Sequence, residues 1–192
     1  MPNAVQAALI ARRSIRRFTR EAIPDAVLRD ILEAARLSPT GGNAQPLRFI
    51  AVRDSSLCTK VFSFTHWAGS IPDGSASPAD ETQPSAYVLI LVDKQIRQSA
   101  DTDAGAAAMS IMLSAAGAGV ASCWLGAIER KEIQELLNID AERFSIHTIV
   151  ALGYPAQKSR AVEMVDSVKY YLESPDALCV PKRRAEDIIK IL

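Results

Sequence analysis

Apolar positions recur with a helical period early in the chain and with strand-like runs in its middle. Leu28, Ile31, Leu32 and Ala35 fall at i, i+3, i+4 and i+7, one stripe that predicts a helix over 24–37 with Pro24 in its first turn. Asn3 is placed to cap a shorter helix running from Ala4 to about Arg12. The second helix should stop at SPTGGN, a cluster of breakers. Leu47–Val52 reads as a strand, followed by a helix over 55–64. Tyr87–Val92 (YVLILV) is a continuous β-branched run and predicts a buried strand. Ile133, Leu136 and Leu137 point inward from a helix over 129–137. Ser145–Leu152 (SIHTIVAL) predicts another strong strand, closed by Gly153-Tyr154-Pro155, with His147 alternating toward solvent. In the tail, VKYYL reads as a short strand and VPKRRAEDIIKIL as a terminal helix.

Two stretches break the pattern. Residues 68–84 (AGSIPDGSASPADETQP) form one long loop, expected to be mobile and suited to act as a lid. Residues 104–128 carry no charge, which is long enough for a bilayer. Their letters are mostly Ala, Gly and Ser, however, and Gly117 and Gly119 end the run. A core helix over 103–118, apolar all round and so covered all round, is the expectation, with no membrane span.

The chain has 192 residues and a mass of 20.8 kDa, which suits one domain over 1–192 with no internal repeat. The mixture of helices and a modest sheet predicts an α+β fold, with helical residues outnumbering strand residues. Net charge is zero, which argues against general nucleic-acid binding. The charge is unevenly spread: residues 1–60 carry ten Lys/Arg against five Asp/Glu, and Arg12, Arg13, Arg16, Arg17 and Arg20 have no acid among them. A local cluster of this kind suits a single anion. Three separated cysteines, without C-x-x-C or H-E-x-x-H, argue against a disulfide framework and against a zinc site. The N-terminus lacks the basic region of a secretion signal, so the chain is expected in the cytoplasm.

Three motifs carry candidate chemistry. In RRSIRRF, arginine forks match a phosphate bidentately and Ser14 adds a hydroxyl; the plain alternative is a solvated basic turn. In SPTGGNAQP, Gly41 and Gly42 permit close backbone approach to a ligand. Thr40, Asn43 and Gln45 supply polar groups suited to a heterocycle edge; an ordinary helix-terminating loop is the alternative. In SCWLGAI, a Cys, a Trp and the turn at Gly126 suit a planar ligand or simple core packing. Cys123 reads as a buried structural thiol, since no basic partner is fixed near it. Neither a Walker phosphate loop nor the G-x-G-x-x-G dinucleotide fingerprint is present.

The order of these motifs, RRSxR, then SPTGGNAQP before a strand, then an Ala/Gly-rich helix leading to CWLG, then LGYP, resembles the FMN-dependent nitroreductase family. The likeness runs from about Val5 to Pro155, with more at CVPKRRAEDII. That resemblance implies a central, mostly antiparallel sheet flanked by helices, an intertwined homodimer, and two FMN molecules at the subunit interface. It implies that residues 156–192 form a C-terminal extension. It implies that Arg12, Arg13, Ser14 and Arg16 hold the FMN phosphate, ribityl chain and flavin pyrimidine edge. Pro39, Thr40, Gly41 and Asn43 match a loop that touches the flavin, commonly from the other subunit. Leu125 and Gly126 match the stretch against the ring, and Lys182 and Arg183 match a basic pair that closes on the phosphate. Arg184, Lys158 and Arg160 are rivals for that last role. Leu47 stands where the family often has a tryptophan.

The implied reaction is ping-pong hydride transfer: NAD(P)H reduces FMN, and a nitroaromatic, quinone or similar small acceptor takes the electrons. No side chain is expected as nucleophile or acid–base catalyst, and Arg16 is the expected cation beside the flavin. Other flavin chemistry on the same fold (dehalogenation, dehydrogenation or flavin cleavage) stays open here, as does a non-enzymatic module that binds phosphate or nucleic acid.

Overall fold

The computed structural model describes residues 3–71 and 73–192, so the loop reading at Pro72 and the start at Met1–Pro2 lie outside the described residues. The first helix, α1 (Ala4–Ala11), opens on a capping box in which Asn3 and Gln6 each take the other's backbone N–H at 2.9 Å. The stripe read from the sequence becomes α2 (Asp25–Arg36), with Leu28, Ile31 and Ala35 buried. Then come β1 (Leu47–Val52), α3 (Ser55–Ser63), β2 (Ala86–Asp93), α4 (Asp101–Gly117), β3 (Ala121–Leu125), α5 (Arg130–Leu136) and β4 (Phe144–Gly153). The tail holds β5 (Lys158–Glu163), β6 (Tyr171–Ser174), β7 (Ala177–Lys182) and a single turn, α6 (Ala185–Ile188).

Four strands pair in the order β1-β2-β4-β3, antiparallel throughout. All eight residues of β2 are buried because the sheet is covered on both faces. Its period of two divides them. Val88, Ile90 and Val92 join the core with α2 and α4, while Tyr87, Leu89 and Leu91 join the second core with α3 and α5. A smaller sheet, β5-β7-β6, is parallel between β5 and β7 and antiparallel between β7 and β6. The fold is thus helices on a mostly antiparallel sheet, as expected.

The structure departs from the sequence reading in several places. The terminal helix expected over 180–192 is reduced to one turn, and residues 180–182 instead complete β7, which pairs with β5 on one side and β6 on the other and buries Leu178 and Cys179. Helix α4 is covered on one side only. Ala104, Ala107, Ala108, Ile111, Met112 and Ala115 face the core, whereas Met109 is 38% exposed and Leu113 only partly buried. One chain offers a partner to just one face of that helix. His147 does not point freely to solvent. It is the extra residue where the β2–β4 register shifts, and its Nε2 lies 3.0 Å from Asp101 Oδ1.

The GYP segment has a packing role. A Cβ on Gly153 would come 2.9 Å from Phe18 Cδ1, so glycine there lets Phe18 lie, fully buried, against the end of β4. Helix α4 has 17 residues, and among the described residues no helix is long and apolar enough to cross a membrane.

Candidate functional site

Helix α1 stops at Arg12, whose N–H still reaches Ala8 O at 2.8 Å while its own φ and ψ are already extended. The chain then runs straight across the start of β3. Ser14 bridges Ser122, Ile15 N donates to Ser122 O at 2.9 Å, and Arg16 N donates to Gln157 Oε1 at 3.3 Å. Ile15 and Phe18 go to the core, which leaves the arginines on the polar side.

Arg12 and Arg13 line a cleft of about 320 Å³. Its other walls are the C-terminal end of α4 with Gly119, the start of β3 with Ser122, and Gln157 and Ser159 of the tail. Among the described residues no acidic one lines it. Burial first, and repulsion by Arg13 second, lower the pKa of the Arg12 guanidinium from its ordinary value. Around this cleft several buried polar atoms have no hydrogen-bond partner among the described residues: Arg13 Nε, Gln157 Nε2, Ser159 Oγ and, beside them in the chain, Arg16 Nη1. Every one is a donor or able to donate. Buried donors are ordinarily paired, so this set calls for an acceptor-rich ligand. Two adjoining guanidiniums, hydroxyls and an amide suit a phosphate-bearing polar ligand.

Cys123 sits 3% exposed behind the arginines. Burial pushes its thiol up, against the pull of Arg16 and then Arg12. That leaves a protonated, enclosed thiol, in keeping with a structural role.

The remaining expected residues are spread over the molecule. Arg16 packs beneath Tyr170, with its guanidinium carbon 4.3 Å from the ring centroid. The Pro39–Asn43 loop is built on left-handed backbone at Gly42 (φ 61°) and Asn43 (φ 53°). Gly41 N donates to Asp103 Oδ1 at 3.0 Å, and Arg97 Nη2 donates to Gly41 O at 2.7 Å. Asp103 is in the first turn of α4 and Ala116 of the cleft near its last, about 20 Å away at 1.5 Å per residue. One chain therefore does not bring Pro39, Thr40, Gly41 and Asn43 to the arginine cleft. Leu125 ends β3, with its carbonyl accepting from Thr148 Oγ1 at 2.6 Å. Gly126 lines a second cleft with Trp124, Asp101 and His147. Lys182 ends β7 and Arg183 follows it, both outside the cleft lining, with Lys182 O accepting from Met164 N at 2.8 Å. Of their rivals, Arg160 is taken by Glu173 at 2.6 Å and Arg184 by Glu163 at 3.2 Å, while Lys158 is exposed.

Sequence reasoning missed Ser122, Gln157, Ser159 and Tyr170. Ser122 does open the SCWLG motif and Gln157 follows GYP by two positions, but nothing in their spacing announces that they meet Arg13 and Arg16.

Known proteins share this plan. The nitroreductase family model matches residues 9–154. A protein of Archaeoglobus fulgidus, provisionally named an NADH dehydrogenase/NAD(P)H nitroreductase, is 33% identical over 165 residues, covering 82% of this chain and 89% of that one. The crystal structure of a provisionally assigned nitroreductase from Desulfovibrio desulfuricans, in complex with FMN, is 32% identical with a TM-score of 0.67, covering 82% of this chain and 89% of its own. A Bacteroides fragilis nitroreductase with bound FMN shares the fold at 24% identity, with a TM-score of 0.65 and coverage of 86% and 96%. The family match spans the arginine segment, the TGGN loop and CWLG and reaches Tyr154 of GYP, and on that ground the chain belongs to the nitroreductase family.

Proposed function

We propose that this protein is an FMN-dependent NAD(P)H oxidoreductase that reduces nitroaromatics, quinones or similar small acceptors by ping-pong hydride transfer. The observation that carries the reading is the acid-free arginine cleft with its unpartnered buried donors. Relatives named for NAD(P)H, and solved relatives holding FMN, support the cofactor and donor.

In this reading Arg12 and Arg13 grip the phosphate, helped by Ser14, Ser159 and Gln157 along the polyol. FMN bound there would supply the hydride-accepting ring. Arg16 would offer its cation to the pyrimidine edge. The family likeness assigns Leu125 and Gly126 to the ring and Lys182 and Arg183 to the phosphate, and within one chain all four lie outside the lining of the arginine cleft. No protein nucleophile is needed, and the buried Cys123 offers none.

A homodimer completes the site. The chain exposes 10,828 Å², where a compact monomer of this mass exposes about 9,000 Å². Among the exposed large apolar residues are Val5, Leu9 and Ile10 on α1, Met109 on α4, and Ile188, Ile189, Ile191 and Leu192 at the C-terminus. A second copy over these faces buries them, and its Pro39, Thr40, Gly41 and Asn43 loop is then free to reach the flavin. We read residues 1–192 as one FMN-binding unit, with 156–192 as its extension. The test is the absorbance spectrum of the purified protein, before and after anaerobic NADH or NADPH. Flavin bands that bleach with the donor and return with a nitroaromatic or quinone are expected. A colourless protein that takes up no FMN at micromolar concentration would overturn the proposal.

A further inference from the structure

Two segments far apart in the sequence, the 68–84 loop and the C-terminal extension, fasten onto Arg16 and Arg17. Arg17 Nη2 donates to Ser75 O at 2.6 Å, and Arg17 Nη1 donates to Pro175 O at 2.8 Å and Asp176 Oδ1 at 3.1 Å. Beside it, the Tyr170 ring lies over the Arg16 guanidinium at 4.3 Å, and Tyr170 Oη accepts from Ser70 N at 3.2 Å. The backbone of Arg16 is held from another direction by Gln157 Oε1. What this arrangement leaves over is Arg16 Nη1, buried and without a partner among the described residues.

A guanidinium donates in its own plane and takes an aromatic ring on its face. Tyr170 therefore fixes the plane of Arg16 without using any of its N–H groups. The Tyr170 hydroxyl uses its own capacity on Ser70, so the stacked ring is tied in turn to the loop. Resting on the reading that this site holds FMN, we propose that Tyr170 is a positioning residue. It clamps the Arg16 guanidinium in the orientation that serves the flavin. The phosphate grip at Arg12 and Arg13 does not pass through this clamp, so Tyr170 should govern the flavin's reduction potential far more than its affinity.

The experiment measures FMN affinity by fluorescence titration and the midpoint potential of the bound flavin, in the wild type, Tyr170→Leu, Tyr170→Trp, Arg16→Ala and the Arg16→Ala/Tyr170→Leu double variant. Tyr170→Leu should bind oxidised FMN within about threefold of wild type. It should lose three- to tenfold in the preference for reduced over oxidised flavin, a fall of about 15–30 mV for a two-electron couple. Tyr170→Trp, which keeps a ring over the cation, should hold the wild-type potential or exceed it. The double variant should match Arg16→Ala alone, because Tyr170 acts only through Arg16. A wild-type potential in Tyr170→Leu, a lowered one in Tyr170→Trp, or additive shifts in the double variant would each overturn the inference while leaving the cofactor reading intact. A wild type that binds no FMN overturns both.

Discussion

Replacing Arg12 with alanine should lower cofactor affinity without lowering the stability of the cofactor-free protein. Arg12 lines the cleft beside Arg13, in a lining without a carboxylate, and burial and that neighbouring charge both lower its pKa. Without an anion, the guanidinium is held where its charge is unfavourable. With the FMN phosphate in place, it makes a charge-assisted hydrogen bond, and truncating one such partner costs about 1.5–3 kcal/mol. At a factor of ten per 1.4 kcal/mol, FMN affinity should fall by roughly 10- to 150-fold. The cofactor-free variant should be no less stable than the wild type, because the like-charge contact with Arg13 is gone. Arg12→Lys separates charge from geometry: it keeps the cation but loses the bidentate fork, so its affinity should fall between the two. Flavin fluorescence titration and denaturant unfolding of cofactor-free protein read the two quantities independently. An Arg12→Ala protein that binds FMN within threefold of wild type would show that this cleft is not the phosphate site. A loss of more than about 1 kcal/mol of stability in the cofactor-free form would show that Arg12 is there for the fold.

Gly153→Ala should destabilise the protein by about 1–3 kcal/mol in urea unfolding, since the new methyl meets the enclosed Phe18 ring at 2.9 Å; an unchanged midpoint would refute that packing argument. Met109→Glu, on the uncovered face of α4, should turn a dimer of twice the 20.8 kDa chain mass into a monomer by light scattering, and a variant that stays dimeric would place the interface elsewhere. Asp93 accepts from Arg143 Nη2 at 2.9 Å and Nε at 3.2 Å, with Arg48 3.5 Å away, and these contacts hold its carboxyl below the usual carboxylate range. A depressed folded pKa gives stability that is full above the unfolded value of about 4 and is lost as pH falls below it. Unfolding midpoints measured from pH 6 downward should therefore decline in the wild type below about pH 4, and Asp93→Asn should flatten that decline.

The elements legible in the sequence were those whose burial pattern closes within a few turns or pleats. The α2 stripe, the YVLILV run of β2, β4 and the Asn3 cap each depend on neighbours a few residues away, and each stands within two residues of its expected bounds. The same locality kept RRSIR and TGGN visible as candidate chemistry. Pairing across long separations was beyond reach. β5 is mostly exposed and β3 only five residues long, so neither shows a period strong enough to mark a strand; they exist because β7 and β4 offer them hydrogen bonds. Residues 180–182 could have begun a helix by local preference, but pairing with β5 drew them into β7. Composition shows that α4 is apolar all round, yet only tertiary packing decides which face is covered and which is left for another molecule. Gln157 meets Arg16 across 141 residues and Tyr170 meets Ser70 across 100, contacts set by where the sheet ends and the loops return. A side chain's chemistry is local and so can be read from the sequence, whereas its neighbours are fixed by the packing of the whole chain.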